Sequence, residues 1–332
     1  MAGDQLELLS IGDVTMDVFM EPSESETLCR IDSRESLICF SFGDKIPVKT
    51  IHYSVGGNSA NNAVGASRLG VKAGIVTTLG GDTTGKQIIE KLSEEDVDLT
   101  FTIQQPAASS NFSTVINYSG ERTIFTYKAP RSYEFPVKMP AAPWIYLTSM
   151  GDSFEPFYLH LVDWLKKQSG VKLAFNPGSR QLRADRKVMD SVLAATYMIY
   201  INRKEAELIT EVRGSEGNER ELLQKLSALG PKISIVTDGA NGSYVYDGTR
   251  FIKAGILPLD SYERTGAGDA FGSGCVAALI KGKSLDEAIM WGTANSASVI
   301  GYIGAQKGLL HADEMDTWLM RAKSSGVEVK EF

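Results

Sequence analysis

Apolar residues recur along this chain in two rhythms, short continuous runs and three- to four-residue steps, and over long stretches the two alternate. Leu6 to Ile11 is a short apolar run that stops at Gly12-Asp13, which predicts a first buried strand. A core strand opening a chain usually lies mid-sheet, with ligands gathering beyond its C-terminal end, where Asp13 and Asp17 fall. After Pro140 the runs Trp144–Thr148, Lys172–Asn176, Tyr197–Ile201 and Ile233–Thr237 alternate with helical patterns over Phe157–Gln168, Arg186–Ala194 and Glu219–Leu229. That rhythm predicts a doubly wound, mostly parallel α/β sheet with helices on both faces.

Two stretches break the rhythm. From Val18 to Val55 the chain is polar and charged and then forms short runs interrupted by Gly43-Asp44 and Pro47. From Thr100 to Tyr127 the pattern alternates, and Ser113–Tyr118 and Thr123–Tyr127 flank the turn Ser119-Gly120-Glu121-Arg122, a hairpin signal. Two β-rich insertions in an α/β chain predict a small sheet covering the site, with lid segments 18–55 and 100–127 on a core of 1–17, 56–99 and 128–332.

Composition narrows the class. A chain of 332 residues can build a large core, and 43% apolar with 23% charged residues fits an ordered globular protein. A formal net charge of -7 argues against a duplex nucleic-acid partner, though a local backbone nest can still bind a nucleotide. Cys29, Cys39 and Cys275 are too few and wrongly spaced for a disulfide framework or a metal site. The chain shows neither a membrane-length apolar run nor a signal-peptide pattern at Met1–Gln5, so a cytoplasmic location with no membrane partner is expected.

The candidate chemistry centres on Thr265-Gly266-Ala267-Gly268-Asp269-Ala270-Phe271-Gly272-Ser273-Gly274. Turn residues precede it, and Phe271, Cys275, Ala278 and Leu279 follow at helical steps, so it sits where a loop enters a helix. Free N–H groups and the helix dipole make such a junction an anion site, and glycines let a ligand approach. A carboxylate among those amides, Asp269, would repel a phosphate unless it takes a proton from a group attacking that phosphate. The pairing points to phosphoryl transfer. A second stretch, Gly56-Gly57-Asn58-Ser59-Ala60-Asn61, joins a glycine pair to amides suited to hydroxyls, with close helix packing as the competing reading. Asn202 and Glu205 have capping-box spacing at a strand end, which leaves a ligand role open. Gly80-x4-Gly85-Lys86 nearly spells a P-loop, but Gln87 replaces the magnesium-binding Ser or Thr and Asp82 adds repulsion, so a capped helix start is expected.

Taken together, the two glycine motifs resemble the ribokinase-like, PfkB family of ATP-dependent sugar and nucleoside kinases over nearly the whole chain. Asn202-x-x-Glu205 and Gly80-x-Asp82-x-x-Gly85 match two more of that family's motifs. The resemblance implies a Rossmann-like sheet with a β lid and an ATP-dependent kinase with Mg2+. It implies Asp269 as base, with the amides of Gly266, Ala267 and Gly268 as the anion hole. It places Asp17, Gly56, Gly57, Asn58 and Asn61 on the substrate, Asn202, Thr237, Gly239 and Asn295 at the nucleotide, and Glu205 in organising magnesium. Asn58 stands where ribokinases and sugar-phosphate kinases often carry lysine, which favours a free sugar with a primary hydroxyl as acceptor; the alternatives are a nucleoside kinase or a non-catalytic sugar- or nucleotide-binding regulator of the same fold, the last disfavoured by Asp269 among the glycines. Glu263-Arg264 stand where potassium-activated members commonly have Asp-Thr, so a potassium requirement is left open. A homodimer through the lid is a further implication.

Overall fold

The computed structural model describes residues 5–23, 28–31, 36–118, 121–259 and 264–332. In chain order the elements are β1 (Leu8–Ile11), β2 (Thr15–Pro22), β3 (Leu28–Ile31), β4 (Ser36–Cys39), β5 (Val48–Gly56), α1 (Asn58–Arg68), β6 (Ala73–Gly80), α2 (Thr83–Glu94), β7 (Asp98–Gln105), β8 (Asn111–Tyr118), β9 (Glu121–Tyr127), β10 (Trp144–Leu147), α3 (Glu155–Leu165) and β11 (Lys172–Phe175). Then come α4 (Arg186–Ala195), β12 (Met198–Asn202), α5 (Arg203–Thr210), α6 (Glu219–Ala228), β13 (Ile233–Thr237), β14 (Ser243–Tyr246), β15 (Phe251–Ala254), α7 (Ala267–Ile280), α8 (Leu285–Val299), α9 (Met315–Ser324) and β16 (Val329–Glu331).

Among the described residues, ten strands form one sheet in the order β16-β15-β14-β13-β12-β11-β10-β1-β6-β7, parallel from β7 to β13 and antiparallel beyond. The first strand does lie inside the sheet. β1, β6 and β10 are buried along their whole length, as strands covered on both faces must be, which is why they read as continuous apolar runs. Strand alternation sends Leu9, Ile145 and Leu173 into a core with α3, α4 and α6, and Leu8, Tyr146 and Met198 into the opposite core with α7 and α8.

A separate four-stranded sheet, β5-β2-β8-β9, is the small sheet expected as a lid, and β3 and β4 pair antiparallel. Its limits differ from those expected. β2 begins at Thr15 and β5 runs through Gly56, so Asp17 belongs to the lid sheet. Phe101–Ile103, expected in the lid, lies on β7, the edge strand pairing with β6. A short alternating run does not reveal which sheet it joins, because that depends on its distant partner. The near-P-loop is a capped helix start: Asp82 accepts from Gly85 N (2.8 Å) and from Ser110 N (2.8 Å), closing the turn with side-chain oxygens. No helix among the described residues is long and apolar enough to cross a membrane.

Candidate active site

The site begins at the N-terminus of α7. Gly266 precedes the helix at φ 79°, in the left-handed region. A Cβ there would lie 2.4 Å from Ala305 Cβ, so both conformation and space require glycine. The first-turn amides of α7 have no acceptor within the helix and carry its positive end. Tyr200 holds that turn. Its hydroxyl donates to Gly268 O (2.6 Å) and its ring stacks on Phe271 at 5.5 Å and 8°. Tyr200 carried no sequence signal, since on a buried strand it reads as core.

Asp269 lies in this first turn, retaining a narrow opening to solvent although protein encloses it on nearly every side. That enclosure pushes its carboxyl up to about 6; the hydrogen bond from Asn61 opposes the shift, and the charges of Glu205 and Asp17 add to it. Asn61 Nδ2 donates to Asp269 Oδ2 at 2.7 Å, and Asn61 Oδ1 accepts from Gln306 Nε2 at 3.1 Å. Asn61 is 3% exposed. The resemblance puts Asn61 on the substrate; in this structure its amide holds Asp269, with Gln306 fixing which way it points. Gln306 was not foreseen, because it lies 245 residues from its partner.

On one side of Asp269 the lid root meets α1. A Cβ on Gly56 would lie 2.0 Å from Asp17 Oδ2, so the Asp17 carboxylate rests directly over bare backbone. Gly57 caps α1 at φ 93°, where a Cβ would meet Asp13 O at 2.5 Å. Asn58 Nδ2 donates to Asn176 Oδ1 (3.1 Å), and Asn176 Nδ2 donates to Tyr200 O (2.7 Å). One chain of contacts thus runs from the glycine pair to the start of α7. Asp13 is buried and accepts from Tyr133 OH (2.8 Å), and burial raises its carboxyl above the usual range despite that bond.

On the other side is a cavity of about 970 Å³, a size suited to a nucleotide. Asn202, Thr237 and Gly239 line it, as do Tyr200, Arg122, Arg264, Ala267 and Gly268. Asn202 and Glu205 form the capping box of α5: Glu205 Oε2 accepts from Asn202 N (2.9 Å) and Asn202 Oδ1 from Glu205 N (3.0 Å). Burial raises the Glu205 carboxyl, the cap bonds from Asn202 opposing it. Among the described residues no three His, Cys, Asp or Glu side chains gather to hold a metal. Glu205, partly buried in that cap one turn from Asn202, is a carboxylate that fits a magnesium ion held chiefly by phosphates and water. Glu263 lies outside the described residues.

Asn295 does not line this cavity. It is 0% exposed, donates to Ala270 O (2.8 Å) and Ser273 Oγ (3.2 Å), and accepts from Leu310 N (2.9 Å). The expectation of nucleotide contact is corrected: Asn295 ties α8 to the first turns of α7, while Thr293 and Ser296 reach the cavity. Asn295→Ala orphans a buried N–H and should lower stability by about 2–4 kcal/mol, measured by denaturant unfolding. A loss below about 0.5 kcal/mol would show the tie to be dispensable.

A family model described as "pfkB family carbohydrate kinase" matches residues 7–312. A ribokinase of Haemophilus influenzae is 28% identical over 283 residues, covering 80% of this chain and 88% of its own. A nucleoside kinase of Methanothermobacter thermautotrophicus is 23% identical over 315 residues, 91% of this chain and 92% of its own. Among solved structures, Arabidopsis thaliana ribokinase complexed with ribose and ATP superposes with a TM-score of 0.78 at 22% identity, covering 95% of this chain and 99% of its own. With a helix-start anion site, a carboxylate beside it and a match along almost its whole length, this chain belongs to the pfkB family of carbohydrate kinases.

Proposed function

We propose that this kinase transfers the γ-phosphoryl group of ATP to a hydroxyl, a primary one, of a small free sugar, with Asp269 as the base. The observation that carries the reading is the placement of Asp269. It stands in the first turn of α7 beside the amides of Gly266, Ala267 and Gly268, oriented by Asn61, between the lid root and the cavity. An isolated aspartate is a poor base at neutral pH, and a carboxyl raised to about 6 is a better matched one that is still mostly ionised. Asp17 and Asn58 would receive acceptor hydroxyls, and the cavity would receive ATP. The first-turn amides would stabilise charge on the transferring group without moving. Magnesium, when bound with the nucleotide, would neutralise phosphate charge, with Glu205 beside it.

The protonation logic has a sign. The base works as its anion, so kcat/KM should fall as pH drops through about 6. The Asn61 hydrogen bond favours the anion, so Asn61→Ala should move that limb to higher pH and lower kcat by roughly tenfold or more through loss of orientation. A pH profile from 5 to 8.5, flat in both proteins, contradicts this assignment.

A second reading, a nucleoside acceptor, is favoured by the likeness to the Methanothermobacter thermautotrophicus nucleoside kinase; the exposed Tyr53, Phe125 and Tyr127 lie by strand register on the face of the small sheet opposite Asp17 and do not bear on it. Phe112 is partly buried and packs against the core cluster of Val14, Met16 and Val55. ADP release measured across free sugars, sugar phosphates and nucleosides, with and without potassium, separates the readings. Preference for a nucleoside would overturn the sugar, and preference for a sugar phosphate would overturn the free acceptor.

A further inference from the structure

The segment between α8 and α9 has no regular helix or strand, yet it supplies Gln306, the side chain that holds the Asn61 amide. Its Ala305 also packs against Gly266 at the start of α7. A loop that orients a working group has to be fixed from outside itself, because irregular backbone makes few bonds of its own. Much of that fixing comes from one residue, Arg68, at the opposite end of α1 from Asn61.

Arg68 Nη1 donates to Gln306 O (2.7 Å) and Leu309 O (3.1 Å), and the Arg68 carbonyl accepts from Ala312 N (2.9 Å). Glu95 takes the other edge of the guanidinium, with Nε donating to Oε2 (2.7 Å) and Nη2 to Oε1 (2.6 Å). That two-bond fork sets the plane of the guanidinium and aims Nη1 at the loop. The Arg68 and Glu95 side chains are 14% and 25% exposed, so the pair is shielded from much of the solvent that weakens surface ion pairs. Ser67 Oγ donates to Glu95 O (2.8 Å), which ties Glu95 to the same end of α1.

Asn61 and Arg68 stand seven residues apart, two turns along one face of the helix and about 10 Å apart along its axis. Helix α1 therefore grips Gln306 twice, by its carbonyl from Arg68 and by its side-chain amide from Asn61. The helix itself sits tightly on α7: a Cβ on Gly65 would lie 2.4 Å from Ser273 Oγ. With α1 and α7 in fixed contact, the position of Gln306 decides whether the Asn61 amide stays on Asp269.

We propose that Arg68 is a positioning residue for phosphoryl transfer: by holding the Gln306 carbonyl against α1 it keeps the Gln306 amide on Asn61, and so keeps Asn61 on Asp269. Lysine cannot substitute, because one nitrogen cannot span a carboxylate and two carbonyls that a planar guanidinium reaches from separate edges. The inference rests on Asp269 as the base and extends that reading to a side chain that touches no reacting atom.

The readout is the titration of the Asp269 carboxyl in the free protein, followed by carbon-13 NMR with label at aspartate Cγ and assigned with Asp269→Asn. The titratable groups acting on Asp269 are Glu205 of α5 and Asp17 of β2, with the Tyr146 and Tyr200 hydroxyls of β10 and β12 beside it. Lys91 and His311 act on Glu95. Every Arg68 variant leaves all six in place. The Asn61 hydrogen bond favours the anion, so loosening it raises the midpoint. Arg68→Gln should raise it by about half a pH unit or more, and Arg68→Lys, which keeps the charge, part of the way. Added to Asn61→Ala, Arg68→Gln should move it no further, since its path is already cut. With magnesium-ATP and the best acceptor of the ADP-release screen, kcat of Arg68→Gln should fall by about fivefold or more with KM for ATP within about twofold. Should Arg68→Gln not fold, Arg68→Lys decides by the same midpoint. A midpoint that stays in place, one that moves in Arg68→Gln but not in Arg68→Lys, or shifts that add to those of Asn61→Ala overturn this proposal alone. A kcat of Asp269→Asn within tenfold of the wild type overturns it together with the base.

Discussion

Asp269→Asn should reduce kcat by about 10²–10⁴-fold while magnesium-bound AMP-PNP binds as well as, or slightly better than, it does to the wild type. The amide keeps the size and shape of the carboxylate, and its oxygen can still accept from Asn61 Nδ2, which lies 2.7 Å from Asp269 Oδ2. What it loses is the ability to accept a proton from the attacking hydroxyl. It also removes one negative charge from a region that contains Glu205 and Asp17, whose charges act on Asp269. A phosphate therefore meets less repulsion, and nucleotide affinity has no reason to fall. Steady-state turnover and calorimetric titration on the same preparation make the comparison. A kcat within tenfold of the wild type would remove Asp269 from the role of base.

Gly266→Ala should damage the site through a single methyl group. Alanine in the left-handed region costs about 1–2 kcal/mol by itself. At φ 79° its Cβ would also lie 2.4 Å from Ala305 Cβ and 2.6 Å from Ala305 Cα, and backbone atoms cannot swing aside as a flexible side chain can. The helix start must move, and with it the amides of Ala267 and Gly268 and the carboxylate of Asp269, three residues on from Gly266. Displacement of an oxyanion-type donor by even about 1 Å lowers kcat on the order of 10²-fold, so kcat should fall by about that factor or more. Gly239→Ala is the internal control. Gly239 also has a positive φ, 52°, and lines the same cavity, but an added Cβ would meet nothing within 4 Å. It should show the conformational penalty in its melting temperature with kcat little changed. If the two variants lose activity equally, backbone strain alone explains the loss and the Ala305 contact does not matter.

Much of this architecture was legible because it is written locally. The βα rhythm after Pro140, the β8–β9 hairpin, the Asp82 cap and the Asn202–Glu205 box depend on hydrogen bonds and burial patterns spanning a few residues. The junction at Gly266–Asp269 was readable for the same reason, since a loop, a glycine and a helix start define an anion site by themselves. The sequence by itself thus determined the fold class and the loop-to-helix junction that carries Asp269.

The commitments of individual side chains were decided by the tertiary structure. The partners that orient Asn61 are Asp269, 208 residues away, and Gln306, which no local pattern announces. Asn295 sits on a small-residue helix facing the right region, yet Ala270 and Leu310 take its hydrogen bonds and seal it in the core. Phe101–Ile103 joined the large sheet because β6 offered an edge. Arg122 read as a turn residue, and only its place on β9 brings it to the lining of the cavity. A buried polar group takes whichever partner the fold delivers, since leaving it unpaired is expensive, and that partner is usually remote in sequence. Local pattern sets backbone geometry, and long-range packing decides which polar atoms are left to meet a ligand.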